Sequence, residues 1–343
     1  MPPKKVNPGS RSSGEPTRRD VLRAAAAAGF CALTGTGTAH GQQATSQPAT
    51  SPANAQPWWV QPPYTRSRVV DIRSDQVFDE SSLDQCAIER ILARGVCALT
   101  GKPTPAESWR AILGSARSIV LKFNSVGAEV IGTTGATAAA IIKALVAAGY
   151  DRRGIVAVEL SKRLATKLEV AEPNPGWGSP IPVGGRQEPL ANYVREADAM
   201  IDVPFLKTHH IAGMSGCMKN ISHAVIRHPG RYHDNRCSPY IGQVIGSTEV
   251  SSKLRLSVVD ALRMVIRNGP DAAPDDLLAH GGLLLGFDPV AVDTVGLSLL
   301  TLRRRQVGIR DALDAPCLRS AAALGVGRVE GHDLEQVVIA GGA

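Results

Sequence analysis

The feature that most restricts the fold of this chain is an alternation of short β-branched runs with longer alanine- and leucine-rich segments, which begins near Arg68. Short apolar runs of this kind are typical of buried strands, and the longer segments are typical of helices. Regular alternation of the two predicts an α/β fold, with a largely parallel or mixed sheet and helices on both faces. The expected strands are 69–72, 118–124, 155–160, 200–206, 254–260, 283–287 and 336–340, and the clearest helices are 137–148 and 289–302.

Residues 1–41 have the composition of a twin-arginine signal peptide. Arg18 and Arg19 precede a short apolar stretch that contains five consecutive alanines, 24–28, and that ends in small residues near Ala39. A basic start, a short apolar core and a small-residue end are the features of a secretory signal, and the arginine pair indicates the twin-arginine route. The apolar core is far shorter than the roughly 20 residues that a membrane-spanning helix needs. We therefore expect the twin-arginine export machinery as a partner, a periplasmic or other extracytoplasmic location, and no transmembrane span in the mature chain.

The rest of the chain divides into a linker and one domain. Residues 42–65 are rich in Gln, Ala, Thr, Ser and Pro and lack charged side chains, which predicts a flexible linker. Residues 66–343 are sufficient for a single α/β domain. Residues 1–41 carry six Lys/Arg and two Asp/Glu, so they account for four of the seven net positive charges. Since the domain shows no basic stripe interleaved with aromatic residues, we expect no nucleic-acid partner.

Polar residues follow several of the expected strands. Asn124, Glu159, Lys207, Asp260 and Asp288 each stand at or just beyond a strand end. In open α/β sheets ligands bind beyond the carboxyl ends of the strands, so these positions are the first place to look for a site. Loops also begin at strand ends, so each of these residues taken alone has a simpler structural explanation.

The segment 203–233 is rich in histidine, with five of the eight histidines of the chain: His209, His210, His223, His228 and His233. Clustered neutral imidazoles suit metal binding or proton transfer. We take His209, Lys207 and Asp288 as candidate catalytic residues, and His209, His210 and His223 as candidate metal ligands. Their spacing differs from the H-E-x-x-H motif, so a metal site would need a loop geometry that the spacing does not predict.

The same segment also has the features of an anion site. A glycine turn, 213–216, leads into an expected helix that carries Lys219, and Lys207 precedes the turn. Such a turn presents backbone amides to an anion, and the lysines add positive charge. The G-x-x-x-x-G-K-[ST] spacing of a Walker loop is absent, and a surface loop with two solvated lysines is the alternative. The candidate ligand-binding residues are Lys122, Asn124, Glu159, Lys219 and Asn220.

Asp288 and Pro289 form a helix-start signal. A carboxylate that caps the helix, followed by proline at the first helical position, is a common arrangement. This structural role explains Asp288 without a catalytic one, whereas Asp293, one turn later, is not explained by it.

Several common signatures are absent from the sequence. It contains no G-x-S-x-G nucleophile elbow, no H-E-x-x-H and no G-x-G-x-x-G after a strand, so hydrolase, metalloprotease and dinucleotide-dehydrogenase functions have no support. The six cysteines include no C-x-x-C pair, so we expect no ferredoxin-type iron–sulfur cluster. The cofactor stays open, with a metal ion as one option.

A resemblance to a known family rests on several blocks of the sequence: 121–124, 156–159, 202–209 with Gly216 and 219–220, 259–261 and 288–293. In combination, these blocks resemble the domain of unknown function 362 family. The resemblance extends over about residues 66–343 and implies an α/β domain whose biochemical role is not established. Many members are described as iron–sulfur centre proteins because they carry a ferredoxin module. The cysteines of that module are absent here, so the cluster is not carried over.

Two functions of different classes remain open. The first is an enzyme, or a cofactor-bearing redox protein, that acts on an anionic small molecule at a Lys/His/Asp site. Lysine and histidine beside carboxylates can be tuned for proton transfer, which favours this function. The second is a periplasmic binding protein that holds an anionic ligand or a metal without catalysis. The missing nucleophile and cofactor motifs favour that one.

Overall fold

The computed structural model describes residues 58–61, 64–80 and 82–339 of the 343-residue chain. The predicted signal peptide, 1–41, lies outside these residues, and so does most of the predicted linker, 42–65. In the described part of the chain, no helix combines the length and the apolar character needed to cross a membrane.

A mixed sheet of nine strands forms the centre of the described domain, and two short two-stranded sheets accompany it. The strands are β1 (Arg68–Ser74), β2 (Phe78–Asp79), β3 (Ser82–Leu83), β4 (Ile119–Lys122), β5 (Ile155–Val158), β6 (Trp177–Val183), β7 (Arg186–Ala191), β8 (Ala199–Asp202), β9 (Phe205–His209), β10 (Gly213–Ser215), β11 (Leu254–Val265), β12 (Leu277–Gly286) and β13 (Asp333–Ile339). The order across the large sheet is β13-β1-β12-β11-β8-β4-β5, with β9 beside the second half of β11 and β10 beside β9. The small sheets are β2–β3 and β6–β7.

Most strand pairs of the large sheet are parallel. Strands β11, β8, β4 and β5 run in one direction, β9 joins them beside β11, and β13 is parallel to β1. Strand β12 is antiparallel to both of its neighbours, β1 and β11, and β10 is antiparallel to β9. The carboxyl ends of β4, β5 and β8 therefore meet at one edge of the sheet, while β12 runs in the opposite direction.

Helices cover both faces of the sheet. They are α1 (Gln85–Thr100), α2 (Pro105–Leu113), α3 (Ala128–Ile131), α4 (Thr134–Ala147), α5 (Lys162–Leu168), α6 (Asn192–Glu196), α7 (Cys217–Ala224), α8 (Tyr240–Gly246), α9 (Thr248–Ser251), α10 (Pro289–Gln306) and α11 (Pro316–Ala323). Side chains of α1, α2 and α4 share one apolar core, and those of α7, α8, α10 and α11 share another.

The strand residues alternate between these two cores. In β4, Val120 belongs to the core of α7 and α10, whereas Ile119 and Leu121 belong to the core of α1 and α4. Successive side chains of a strand point to opposite faces, so a sheet that is covered on both sides has apolar residues at every position. The prediction of an α/β fold, with a largely parallel or mixed sheet and helices on both faces, is confirmed.

Candidate functional site

Two adjacent parallel strands bring Asn124 and Glu159 to the same edge of the sheet. Lys122, the last residue of β4, pairs with Val158, the last residue of β5. The chain continues beyond both strands, and Glu159 takes a left-handed backbone conformation with a φ of 58°. Non-glycine residues rarely adopt this conformation, and such strain is concentrated at functional sites.

Strand β9 contributes Lys207 and His209 to the same edge. Residues two apart in a strand share a face, so these two side chains point in one direction. The Lys207 Nζ donates to the backbone carbonyl of Val126 at 2.8 Å and to the Asn124 Oδ1 at 3.3 Å. Lys207 is 0% exposed, so the loop after β4 and the strand β9 enclose its ammonium group.

Helix α7 contributes Lys219 and His223, and α10 fixes its start. The Asp293 carboxylate of α10 accepts hydrogen bonds from the backbone N–H of Cys217 at 2.7 Å and of Met218 at 2.9 Å. Gly216 precedes the helix, and a Cβ at this position would collide with that carboxylate. The role of Asp293, which the sequence pattern left unexplained, is therefore to cap α7. Lys219 and His223 lie four residues apart on one face of this helix.

A buried polar network links the strands to α7. The Lys122 Nζ donates to the Glu159 Oε2 at 2.8 Å and to the Asn220 Oδ1 at 3.0 Å. The Asn220 Oδ1 also accepts from the Asn124 Nδ2 at 3.1 Å, and the Asn220 Nδ2 donates to the Asp202 Oδ1 at 2.7 Å. Because all of these groups are held by protein partners, the network fixes the position of α7 relative to the sheet edge.

The edge of the sheet, the β9–β10 hairpin and α7 enclose a cavity of about 220 Å³. It is lined by Asn124, Val126, Glu159, Lys207, His209, His210, Ile211, Ser215, Lys219, His223, His233 and Pro270. The structure thus brings together Asn124, Glu159, Lys207, His209, His210, Lys219 and His223 of the predicted site residues. Lys122 and Asn220 lie behind this lining, in the network that supports it.

The charges in and around the cavity shift one another's pKa values. Burial acts to raise the pKa of Glu159, but the nearby His223 side chain and the Lys122 ammonium outweigh it and hold the pKa at about 2. Burial lowers the pKa of Lys207 to about 8, and it also lowers the pKa of Lys219. Glu159 is therefore ionised at neutral pH, and Lys207 has a pKa close to neutrality.

His209 is a neutral ring at neutral pH. Burial, followed by the Lys219 ammonium, lowers its pKa to about 3. Its Nδ1 accepts hydrogen bonds from the backbone N–H of Ile211 at 3.1 Å and of Ala212 at 3.3 Å. The His210 ring stacks on it with centroids 5.1 Å apart, and the His233 ring stacks on it at 6.1 Å.

The predicted metal site formed by His209, His210 and His223 has no support in this geometry. Within the described residues, no three His, Cys, Asp or Glu side chains form a group that could hold a metal ion. The His209 and His210 rings stack instead of converging on one point, and the His223 Nδ1 lies 3.7 Å from the Glu159 Oε1. His209 ends β9 and His210 begins the turn that follows, so the two side chains stack on each other instead of forming a set of ligands, which differs from the prediction.

Asp288 does not lie at the cavity. It is 0% exposed, and its carboxylate accepts hydrogen bonds from the backbone N–H of Val290, Ala291 and Arg328, each at 3.0 Å, and from the Ser67 hydroxyl. Burial raises its pKa to about 6. The expectation that Asp288 caps a helix is confirmed, because this carboxylate caps α10.

The direction of β12 explains why Asp288 is remote from the other predicted site residues. Gly286, at the end of β12, pairs with Ser257, and Ser257 pairs with Asp202 at the end of β8. Because β12 runs antiparallel to β11, the chain leaves it toward the amino ends of the parallel strands. Asp288, expected as a catalytic residue together with Lys207 and His209, therefore lies outside the cavity that they line.

Two polar residues of the cavity lining were not among the predicted site residues. His233 lies in a short segment of 3-10 turns, and Ser215 lies on β10 opposite Lys207. The clustering of histidines in the sequence was a signal for His233. No local pattern indicated Ser215, since its position depends on the β9–β10 hairpin.

The protein is thus an α/β protein whose cavity lies at the carboxyl ends of its parallel strands. Lysine and histidine side chains line this cavity. The chain belongs to the family described as Domain of unknown function (DUF362), whose family model matches residues 116–298. All of the cavity-lining residues lie within this range. No curated protein matches the sequence.

Two solved structures show a weak overall likeness to this chain. The lactate racemase apoprotein from Thermoanaerobacterium thermosaccharolyticum has 10% identity and a TM-score of 0.42, over 67% of this chain and 56% of that chain. A structural genomics target from Thermotoga maritima has 13% identity and a TM-score of 0.39, over 66% of this chain and 60% of that chain. The chain thus covers less than two thirds of either structure.

Proposed function

We propose that this protein is exported, binds a small anionic molecule in the cavity, and acts on that molecule as an enzyme with Lys207 as the proton-transferring residue. The cavity volume of about 220 Å³ lies below the roughly 300–1,000 Å³ of pockets for drug-sized ligands. The ligand is therefore a small molecule with few non-hydrogen atoms.

One observation carries the proposal: two buried lysines line the cavity without a carboxylate partner. Lys207 and Lys219 are 0% and 8% exposed, and in the part of the chain that the structure describes neither forms an ion pair. Buried charges in proteins are normally paired, because removing an ammonium group from water is costly. An anion in the cavity would supply the missing negative charge.

No carboxylate of the described residues forms an ion pair with either lysine, although Asp271 and Glu159 act to raise the pKa of Lys207. Glu159 is already paired with Lys122. Asp202 is buried, and burial raises its pKa well above the ordinary value, which disfavours its charged form. The lining of the cavity contains two lysines and one carboxylate, and this balance favours an anionic ligand.

The two lysines suit different tasks. A pKa of about 8 lets Lys207 exchange a proton near neutral pH, which is the property required of a general acid or base. The Lys219 ammonium has no hydrogen-bond partner among the described residues, so it is free to bind the anion directly.

A binding protein that holds the same anion without turnover is the second candidate function. The observation that favours it is the rigidity of the site: Lys122, Asn220 and the Nδ1 of His209 are all held by protein groups. Preformed sites of this kind bind with little loss of conformational freedom.

Isothermal titration calorimetry of the mature protein with inorganic phosphate, acetate and malonate tests anion binding. Lys219→Met keeps the length of the side chain without its charge, so we expect affinity to fall about 10- to 100-fold, the value of one charge-assisted hydrogen bond. The same variant should be more stable than the parent in the absence of anion, because it removes an unpaired buried charge. Lys102→Met, at an exposed lysine, is the control and should change neither property.

Two results would contradict anion binding: a parent protein that binds none of the three anions, or equal affinity in the parent and in Lys219→Met. Deuterium exchange from D2O into bound malonate, followed by proton NMR against the protein-free rate, separates the two candidate functions. Faster exchange that is lost in Lys207→Met indicates an enzyme, and binding without faster exchange indicates a binding protein.

A further inference from the structure

The hydrogen bonds of His209 determine which of its ring nitrogens carries the proton. Its Nδ1 accepts from the backbone N–H groups of Ile211 at 3.1 Å and Ala212 at 3.3 Å. A nitrogen that accepts hydrogen bonds cannot carry a hydrogen itself. In the neutral ring the proton therefore lies on Nε2, and the turn that follows β9 fixes this tautomer.

The surroundings of His209 keep the ring neutral. It is 6% exposed, and it faces Lys207 on β9, Lys219 on α7, the adjacent His210 and the His233 ring of the following segment. These neighbours are cations or imidazoles, and no carboxylate is among the groups that shift its titration. A second proton on the ring would add a positive charge beside two ammonium groups.

The Nε2–H has no acceptor among the described residues, and the ring lines the cavity together with Lys219. We propose that His209 is a fixed hydrogen-bond donor, and that its Nε2–H and the Lys219 ammonium together bind one oxyanion group, a carboxylate or a phosphate, of the ligand. This inference rests on the proposed function and extends it by naming the chemical group that the site recognises. It also replaces both roles expected for His209 from the sequence, because an Nε2 that carries a hydrogen neither ligates a metal nor accepts a proton.

Nitrogen-15 NMR of the histidine-labelled mature protein tests the tautomer without any ligand. The His209 resonances are assigned by their disappearance in His209→Gln. We expect a protonated Nε2 and an unprotonated Nδ1 at every pH from 5 to 9. A proton on Nδ1, or titration of this ring within that range, would overturn the inference.

A matched pair of variants tests the donor role. His209→Asn places an amide oxygen near the position of Nδ1, so it keeps the acceptor for the two backbone amides but removes the donor at the cavity. His209→Gln places an amide nitrogen near the position of Nε2, so it keeps the donor. For acetate and inorganic phosphate, measured by calorimetry at pH 7, we expect about tenfold weaker binding by the Asn variant and a change of less than about threefold in the Gln variant.

The results of these titrations distinguish the inference from the proposed function. If the parent binds either anion and Lys219→Met weakens that binding, but His209→Asn binds as the parent does, the donor role of His209 is wrong while the proposed function stands. If the parent binds none of acetate, inorganic phosphate and malonate, the donor role and the proposed function both fail. A preference for acetate or for phosphate identifies which oxyanion the site takes.

Discussion

Lys207 has a buried environment in which like and opposite charges compete. Burial has the largest effect and lowers its pKa to about 8; Lys219 and Lys122 act in the same direction, and Asp271 and Glu159 act against it. An anion bound in the cavity would add a further opposite charge and raise the pKa of this lysine. Binding of the anion is therefore coupled to uptake of a proton.

This coupling predicts a specific dependence on pH. Well below pH 8 Lys207 is already charged. At pH 6.5, anion binding should therefore be accompanied by little uptake of protons. Between pH 8 and 9 a growing fraction of free protein has a neutral Lys207, so binding should take up as much as one proton and affinity should fall as pH rises. Calorimetry with acetate, which stays ionised over this whole range, in buffers of different ionisation enthalpy measures this uptake.

Lys207→Met should remove most of the proton uptake, and the uptake that remains reports Lys219, whose pKa is also lowered. Binding with no proton uptake at any pH from 7 to 9.5 would contradict the environment that the structure gives to Lys207.

At the scale of residues, the sequence predicted which side chains lie close together where the neighbouring strands are parallel. Asn124 and Glu159 follow adjacent parallel strands, so their expected proximity rested on a local pattern and a general rule. Ser215 reaches the cavity through the β9–β10 hairpin, and Asp293 caps a helix that lies 76 residues earlier in the chain. Such pairings depend on the complete fold and leave no local signal.

At the scale of elements, the expected strand 200–206 is in fact two strands. Strand β8 ends at Asp202 and β9 begins at Phe205, with Val203 and Pro204 between them. Proline has no N–H to donate to a ladder, so it interrupts the strand, yet both pieces run parallel to β11. The interruption places Lys207 and His209 on a separate strand that continues beyond the edge where β4 and β5 end.

Asp288 provides a test of a structural role against a catalytic one. Asp288→Ala removes the cap of α10 and leaves the Arg328 N–H and the buried Ser67 hydroxyl without this acceptor. We expect a loss of about 2–4 kcal/mol in the free energy of unfolding, measured by urea denaturation. Phosphate binding by the folded variant should remain within about twofold of the parent, because this carboxylate does not line the cavity.

Asp151→Ala is the matched control, since Asp151 also caps a helical turn but is exposed. The loss in the free energy of unfolding should be clearly smaller in Asp151→Ala than in Asp288→Ala. If Asp288→Ala keeps its stability and loses anion binding, the structural role assigned to Asp288 is wrong.

At the scale of the whole molecule, the class of fold was predictable and the strand directions were not. Strands that are buried on both faces have the same apolar pattern whether their neighbours run parallel or antiparallel, as β4 and β12 both show. The alternation of strands and helices therefore predicted the α/β layers and the two covered faces. It did not predict that β12 is antiparallel, and the misplacement of Asp288 followed from that.

Export concerns the whole molecule, because the cavity exists only after segments between residues 119 and 270 have come together. The twin-arginine route transports proteins that have already folded, so a protein exported in this way would carry a complete anion site across the membrane. The Arg18–Arg19 pair is the part of the sequence that indicates this route, and it lies outside the residues that the structure describes. The pair is therefore tested in cells and not in the folded domain.

Replacing Arg18 and Arg19 together by lysine keeps the positive charge of the leader and removes the arginine pair. We expect the double variant to accumulate as an unprocessed precursor in the cytoplasm, whereas the parent is recovered outside it. Immunoblots of cytoplasmic and periplasmic fractions, from a bacterium with a working twin-arginine system, measure the distribution. Arg23→Lys, in the same leader, is the control and should be exported as the parent is. Parental export of the double variant, or undiminished export in a strain without the twin-arginine translocase, would refute the assignment of this route.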